Sequence, residues 1–177
     1  MPNSPHALLL TGPPGVGKTT VLRRAAEGLA DLEIRGFVTE EIREAGQRMG
    51  FRIETFDGES DVLAHVKIRS PHKVSKYGVD VEALERVVAA QFSRARADVV
   101  LIDEIGKMEC LSTRFVETAE RLLESARGFV ATVALRGSGF IETIKRRRDV
   151  LLWQVSRANR EEMPARIAEW VRSTLRS

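Results

Sequence analysis

The stretch Gly12-Pro-Pro-Gly-Val-Gly-Lys18-Thr19 constrains this chain more than any other, because such a string works only between a strand and a helix. His6 to Thr11, with Ala7-Leu-Leu-Leu10 inside it, is a short apolar run suited to a strand buried on both faces. Beyond the lysine, Val21, Leu22, Ala25 and Leu29 recur at helical spacing, while Arg23, Arg24 and Glu27 fall on the other side. Strand, glycine-rich turn and helix start therefore follow in the order that a phosphate cradle demands. Gly12, Gly15 and Gly17 leave room for backbone amides to turn inward, past Pro13, Pro14 and Val16, and the helix N-terminus adds unpaired amides of its own. Lys18 is spaced to reach the β- and γ-phosphates of a nucleoside triphosphate, and the Thr19 hydroxyl to face Mg²⁺.

A chain of 177 residues can bury one central sheet under helices on both sides, so residues 1–177 are read as a single P-loop domain. No apolar segment is long enough to span a bilayer, no export signal opens the chain, and one cysteine, Cys110, excludes an internal disulfide framework. The expectation is a cytoplasmic protein with no membrane partner. The formal charge of +3, from 28 basic and 25 acidic residues, suits a binder of phosphate without indicating nucleic acid. The densest basic run, Lys145-Arg-Arg-Arg148, lacks the interleaved aromatics that stack bases, so nucleic acid is not an expected partner. Nothing resembles a coiled-coil seam, and a monomer is the default.

Strand and helix patterns alternate along the rest of the chain. Glu33 to Arg43 and Met49 to Phe56 read as two strands around a polar, glycine-containing turn, a β-hairpin placed toward an edge of the sheet. Val62 to Val66 is a further short strand, and Lys67 to Gly78 a basic, irregular loop. Asp80 caps a helix whose inward face is Val81, Leu84, Val87, Val88 and Phe92. Ser112 or Thr113 starts another, with Phe115, Ala119, Leu122 and Leu123 inward, and Phe129 to Val133 is the strand after it. A basic helix over about Phe140 to Arg148, a last strand at Val150 to Val155, and a C-terminal helix starting near Pro164 complete the pattern. Such alternation predicts a three-layer α/β sandwich with a mostly parallel central sheet, its ligand at the carboxyl ends of the strands.

Val99-Val-Leu-Ile102 delivers Asp103-Glu104 at a strand end, a signal that is weak alone and strong beside a glycine-rich cradle. Neighbouring residues of a strand point in different directions, so the two acids can divide the work. Asp103 is assigned to orient Mg²⁺, and Glu104 to accept a proton from the attacking water. Lys107, just beyond Gly106, is close enough in sequence to add positive charge at the phosphates. Arg136, Lys145, Arg146, Arg147 and Arg148 are candidates for a cation over the transferring phosphoryl group. Cys110, His65 and His72 show no metal-ligand spacing.

The chain resembles the small nucleoside-triphosphatases of the THEP1 type, the cancer-related nucleoside-triphosphatases of animals, over essentially its whole length. The resemblance rests on Gly12 to Thr20, Gly36-Phe-Val-Thr39 with Glu41 and Arg43, Gly50-Phe51, Lys76-Tyr-Gly-Val79, Ile102-Asp-Glu-Ile-Gly-Lys-Met-Glu109 and Asn159-Arg160. It implies a RecA-like P-loop core in which another strand lies between the two motif strands. It also implies slow, Mg²⁺-dependent hydrolysis of ATP, GTP, CTP and UTP with broad base tolerance. On the same ground Gly12 to Thr20 bind phosphate, Asp103 serves magnesium, Glu104 activates water, and Lys107 lies near the phosphates. Tyr77, Asn159 and Arg160 are implied parts of the nucleotide pocket. Ser75 departs from the pattern, standing where glycine is common. A nucleotide or nucleoside kinase is the main alternative, since the hairpin and the Lys67–Gly78 loop occupy the stretch where an acceptor would bind; a nucleic-acid-associated ATPase is a second.

Overall fold

Leu8 and Leu10 face one side of the sheet and Ala7 and Leu9 the other, all four fully buried, so the strand β1 (Ala7–Thr11) is covered on both faces. In the computed structural model, which describes residues 5–93 and 97–177, that pattern produces three layers. On one side, α1 (Lys18–Glu27) and α5 (Met163–Arg176) press Leu22, Met163, Ile167 and Val171 onto Leu8, Leu10, Leu101 and Val130. On the other, α2 (Val81–Phe92), α3 (Thr113–Ser125) and the short α4 (Phe140–Lys145) cover Leu9, Phe37, Ile102 and Phe129. Each such side chain taken fully out of water contributes about 1.5–3 kcal/mol, which is why both faces of the strands are apolar.

The sheet has nine strands in the order β5-β6-β4-β3-β2-β7-β8-β1-β9. From β2 (Ile34–Glu44) through β7 (Val99–Ile105), β8 (Phe129–Val133) and β1 to β9 (Val150–Gln154), all neighbours are parallel. One strand, β8, lies between the glycine-rich strand and the acidic strand, as the resemblance implies. From β2 outward, β3 (Gln47–Thr55), β4 (Ser60–His65), β6 (Tyr77–Val79) and β5 (Lys73–Val74) pair antiparallel.

The hairpin differs from the expected edge position. Its first strand pairs with β7 inside the sheet and its second continues into three more strands, so it begins an antiparallel extension rather than ending the sheet. The Lys67–Gly78 stretch is only partly irregular, because Lys73–Val74 and Tyr77–Val79 form a small hairpin around Ser75. Ser75 there holds φ at 55°, a left-handed conformation that glycine takes at no cost and serine at about 1–2 kcal/mol.

Helix starts follow the local chemistry. Asp80 Oδ1 accepts from the Ala83 amide at 2.9 Å, and Ser112 Oγ from the Phe115 amide at 3.0 Å, ordinary caps for α2 and α3. The basic helix stops at Lys145, short of Arg148. α5 begins at Met163, with Pro164 in its first turn. Arg23 ties α1 to the hairpin through Glu40 at 2.6 Å and Glu54 at 2.9 Å.

Candidate active site

At the carboxyl end of β1 the chain turns through Gly12 to Gly17 into α1. Gly17 is the residue before the helix and takes φ 105°, a conformation that a side chain would strain. Unlike α2 and α3, α1 has no side-chain cap, so its first amides stay directed into the loop. Those amides are the anion-binding end of a helix dipole. Lys18 Nζ arches over the loop and donates to the carbonyls of Gly12 at 2.8 Å and Pro13 at 3.3 Å. Pro13, Pro14, Gly15 and Thr20 are exposed around the mouth, while Val16 is buried beneath it.

Two strands across, β7 carries Asp103 to the same rim. Thr19 Oγ1 donates to Asp103 Oδ2 at 2.6 Å, and Thr132 Oγ1, on the intervening β8, donates to Asp103 Oδ1. Burial pushes the Asp103 carboxyl above its ordinary range, against these hydroxyls and the Lys18 charge. Thr19 and Asp103 together are hard oxygen donors of the kind Mg²⁺ prefers. Among the described residues no group of three or more His, Cys, Asp or Glu gathers to cage an ion. Two protein oxygens, with water and phosphate left to supply the rest, fit a magnesium site of this class.

Glu104 sits on the next position of β7, half-buried, its carboxyl raised first by burial and then by the charge of Asp103, with Lys18 opposing both. Gly106 follows, and the space a Cβ would fill there lies 2.7 Å from Glu104 Oε1 and 3.1 Å from Glu109 Oε2. Glu109 begins a one-turn 3₁₀ helix, Glu109–Leu111, that folds under the strand end. It is 5 % exposed, accepts from the Gly106 amide at 3.2 Å, and is pushed up to about 8 by burial and by the Glu104 charge. Lys107 is exposed on the outside of the same turn. Burial pushes the Cys110 thiol up to about 12, so it is no nucleophile.

The remaining predicted residues separate. Arg160 is brought to the cradle: its Nη1 donates to the Val16 carbonyl at 3.3 Å. Asn159 braces the turn that carries it, accepting from the Ser156 amide and donating to the Gln154 carbonyl, both at 2.8 Å. Tyr77 is elsewhere. Five strands stand between β6 and β1, roughly 30 Å along the sheet, and Tyr77 is buried against Phe51 with its hydroxyl accepting from Arg48 Nε at 3.1 Å. Of the cations near α4, Lys145 is tied to the carbonyls of Ala134 and Leu135 and to Glu142, and Arg147 to Asp149. Arg136, Arg146 and Arg148 are exposed.

Thr132 and Glu109 escaped the reading of the sequence. Thr132 sits within Phe-Val-Ala-Thr-Val, where it passes for a strand former, although a lone hydroxyl in a buried run is itself a hint. Glu109 lies in a polar string that gives no sign of burial.

A glycine-rich cradle opening an uncapped helix, with an acidic strand set beyond one intervening strand, defines a P-loop nucleotide-binding protein. The profile of the NTPase_1 family of NTPases matches residues 7–168, and the chain belongs to that family of nucleoside-triphosphate-hydrolysing enzymes. It is 42 % identical over 158 residues to the nucleoside-triphosphatase THEP1 of Thermotoga sp. strain RQ2, covering 88 % of this chain and 90 % of that one. Its fold is similar to the crystal structure of THEP1 from the hyperthermophile Aquifex aeolicus, with a TM-score of 0.85 at 32 % identity over 93 % of this chain and 98 % of the other. The solution structure of a human cancer-related nucleoside triphosphatase matches with a TM-score of 0.82, again at 32 % identity, over 96 % and 98 % of the two chains. Among the described residues no helix is long and apolar enough to cross a membrane.

Proposed function

We propose that this chain removes the γ-phosphate of nucleoside triphosphates by Mg²⁺-dependent attack of water, with Glu104 as the general base. The observation that carries the reading is the Thr19–Asp103 contact of 2.6 Å, which joins the phosphate cradle to the acidic strand in one site with Glu104 as the next residue. The α1 amides and Lys18 bind the β- and γ-phosphate oxygens, and Gly12 to Thr20 wrap the triphosphate chain. Thr19 and Asp103 would hold a magnesium ion, which would supply positive charge to offset that of the phosphates. Glu104 accepts a proton from water as the water oxygen bonds to the γ-phosphorus. The bond from that phosphorus to the bridging oxygen breaks, and the nucleoside diphosphate leaves with that oxygen while inorganic phosphate is released.

Arg160 stands against the cradle, which supports a part in the nucleotide pocket, with Asn159 shaping its turn. Lys107 contributes positive charge at the rim. The contacts to phosphate are made through backbone and lysine, which do not read the base, so broad tolerance among ATP, GTP, CTP and UTP is the expected behaviour. Residues 1–177 are read as one P-loop domain working as a monomer, and the basic run Lys145–Arg148, lacking interleaved aromatics, does not favour nucleic acid.

The test is phosphate release from each of the four nucleoside triphosphates with Mg²⁺, first alone and then with nucleosides and nucleoside monophosphates. Release of similar size for all four, without dependence on an acceptor, is expected. Little release alone but rapid phosphorylation of an added acceptor would assign the chain to the kinases instead.

A further inference from the structure

Thr132 is a buried hydroxyl in an otherwise apolar strand, and the hydrolytic scheme gives it no part. Its neighbours in β8 are Phe129, Val130, Ala131 and Val133, and all five residues are buried. Side chains alternate along a strand, so Thr132 shares a face with Val130, which packs with Leu8, Leu10 and Leu101 beneath α1 and α5. Valine has nearly the shape of threonine and fills that face two residues earlier, so packing alone does not call for a hydroxyl. What the hydroxyl does is donate to Asp103 Oδ1, the one side-chain hydrogen bond that Thr132 makes among the described residues. A hydroxyl has a single proton to give, and a buried one left unpaired is costly, so this donor is committed to Asp103.

We propose that Thr132 is a positioning residue: its hydroxyl, carried on the central strand, fixes the rotation of the Asp103 carboxylate and so sets the oxygen offered to magnesium. The inference rests on Asp103 serving that ion. Asp103 is 2 % exposed and its two oxygens have different partners, Thr132 on Oδ1 and Thr19 on Oδ2 at 2.6 Å. The last torsion of an aspartate is broad and roughly twofold, so hydrogen bonds choose its setting. Held on both oxygens from two elements, the carboxylate cannot turn without breaking one of the bonds. The two holds are not equivalent. Thr19 opens α1 and is itself assigned to the ion, whereas Thr132 has no second task. It also sits on a strand paired on both sides, Thr132 with Leu10 of β1 and Ala131 with Ile102 of β7. Ligands of a metal are oriented by the hydrogen bonds behind them, and losing such a support costs about 10–100-fold in metal affinity or activity.

The test measures the affinity of a nonhydrolysable ATP analogue by calorimetry, first in EDTA and then across a series of Mg²⁺ concentrations. The wild type is compared with Thr132→Val, Thr132→Ser, Thr132→Ala and, as a control on the metal ligand itself, Asp103→Asn, with thermal melts to verify folding. Val keeps the shape and loses the donor. The Mg²⁺ concentration that gives half of the metal-dependent gain in affinity should rise by about 10–100-fold, while binding in EDTA stays at the wild-type value. Ser keeps the donor and should bring the metal requirement back close to that of the wild type. A wild-type requirement in folded Thr132→Val, or a Ser variant as impaired as Val, would overturn the inference. So would a loss of binding in EDTA as large as the loss with metal, the sign of a general packing defect. If Asp103→Asn leaves the metal requirement unchanged, it is the assignment of Asp103 to magnesium that fails, and the two failures are thus told apart. Should Thr132→Val not fold, Thr132→Ala removes the same donor without adding bulk, and the same titration decides.

Discussion

In the antiparallel half of the sheet, Glu41 lies between Arg43 at 2.6 Å and Arg48 at 2.8 Å, and the Arg48 hydrogen bond leads in holding its carboxyl below the ordinary range. Asp57, at the turn after β3, is held down in the same way by Thr55 and Gln91. In the parallel half, Asp103, Glu104 and Glu109 have no guanidinium among their causes of shift, and burial pushes all three up. The two regions belong to one sheet, yet the extension pairs these acids at its surface while the end of β7 beside the cradle gathers three acids without a guanidinium partner. A surface network of arginines and carboxylates is worth little each, about 0–1 kcal/mol per pair, and mainly keeps the extension soluble and in register. Buried acids with one lysine near them are a cost that the surrounding packing sustains, and they make sense where a cation and a polyphosphate are to be handled.

That contrast can be broken most sharply at Gly106. Gly106→Ala places a Cβ 2.7 Å from Glu104 Oε1 and 3.1 Å from Glu109 Oε2, so the carboxylates must move. A loss of kcat of up to about 100-fold is expected, with KM for MgATP near the wild-type value; a wild-type kcat would mean that Glu104 is not confined by its neighbours.

A second effect is on stability. The carboxyl of Glu109 is pushed up to about 8 in the folded chain from 4.5. Between those values the folded state keeps a proton that the unfolded state has released. Its contribution is therefore complete at low pH, declines as pH rises through that window, and levels off above about 8. The slope from this one group is at most about 1.4 kcal/mol per pH unit. Urea unfolding of Glu109→Gln should show a shallower decline than the wild type over that range, and identical slopes would rule out a retained proton.

The smallest effect is expected at Tyr77, on the other side of the contrast. Tyr77→Phe removes the acceptor of the 3.1 Å bond from Arg48 and should lower stability by about 0.5–1.5 kcal/mol while leaving KM for each nucleotide unchanged. A raised KM would return Tyr77 to the nucleotide pocket that the family resemblance implies.

These positions also mark how far the amino-acid order alone reaches. The cradle is legible because its glycines, Lys18 and Thr19 are contiguous and the strand and helix beside them are strongly patterned. Asp103 is legible because an acid ending a run of Val and Leu has few other reasons to be there. Thr132, by contrast, meets Asp103 only through the pairing of β7 with β8, which no local pattern announces. Glu109 is hidden by a one-turn helix too short to leave a periodicity. The hairpin is evident from its alternation and its Ala45-Gly46 turn, but its place inside the sheet depends on Ile34 to Phe37 pairing with Val99 to Ile102, a contact across some sixty residues of chain. Gln91 illustrates the same limit: on the helical pattern it is one polar residue among many, yet it is buried and bonds the Gly36 amide and Asp57.

The strand β8 has an implication for how chains of this kind can vary. Leu10 of β1 pairs with Thr132, and Ile102 of β7 with Ala131, so cradle and acid are both indexed to adjacent residues of one central strand. The gap between Thr19 and Asp103 is set by the width of that strand, whatever the length of chain that joins them. Insertions or deletions in the hairpin, the basic loop or α2 can therefore accumulate without retuning the chemistry, whereas a single residue gained or lost within Phe129–Val133 would shift both halves of the site out of step.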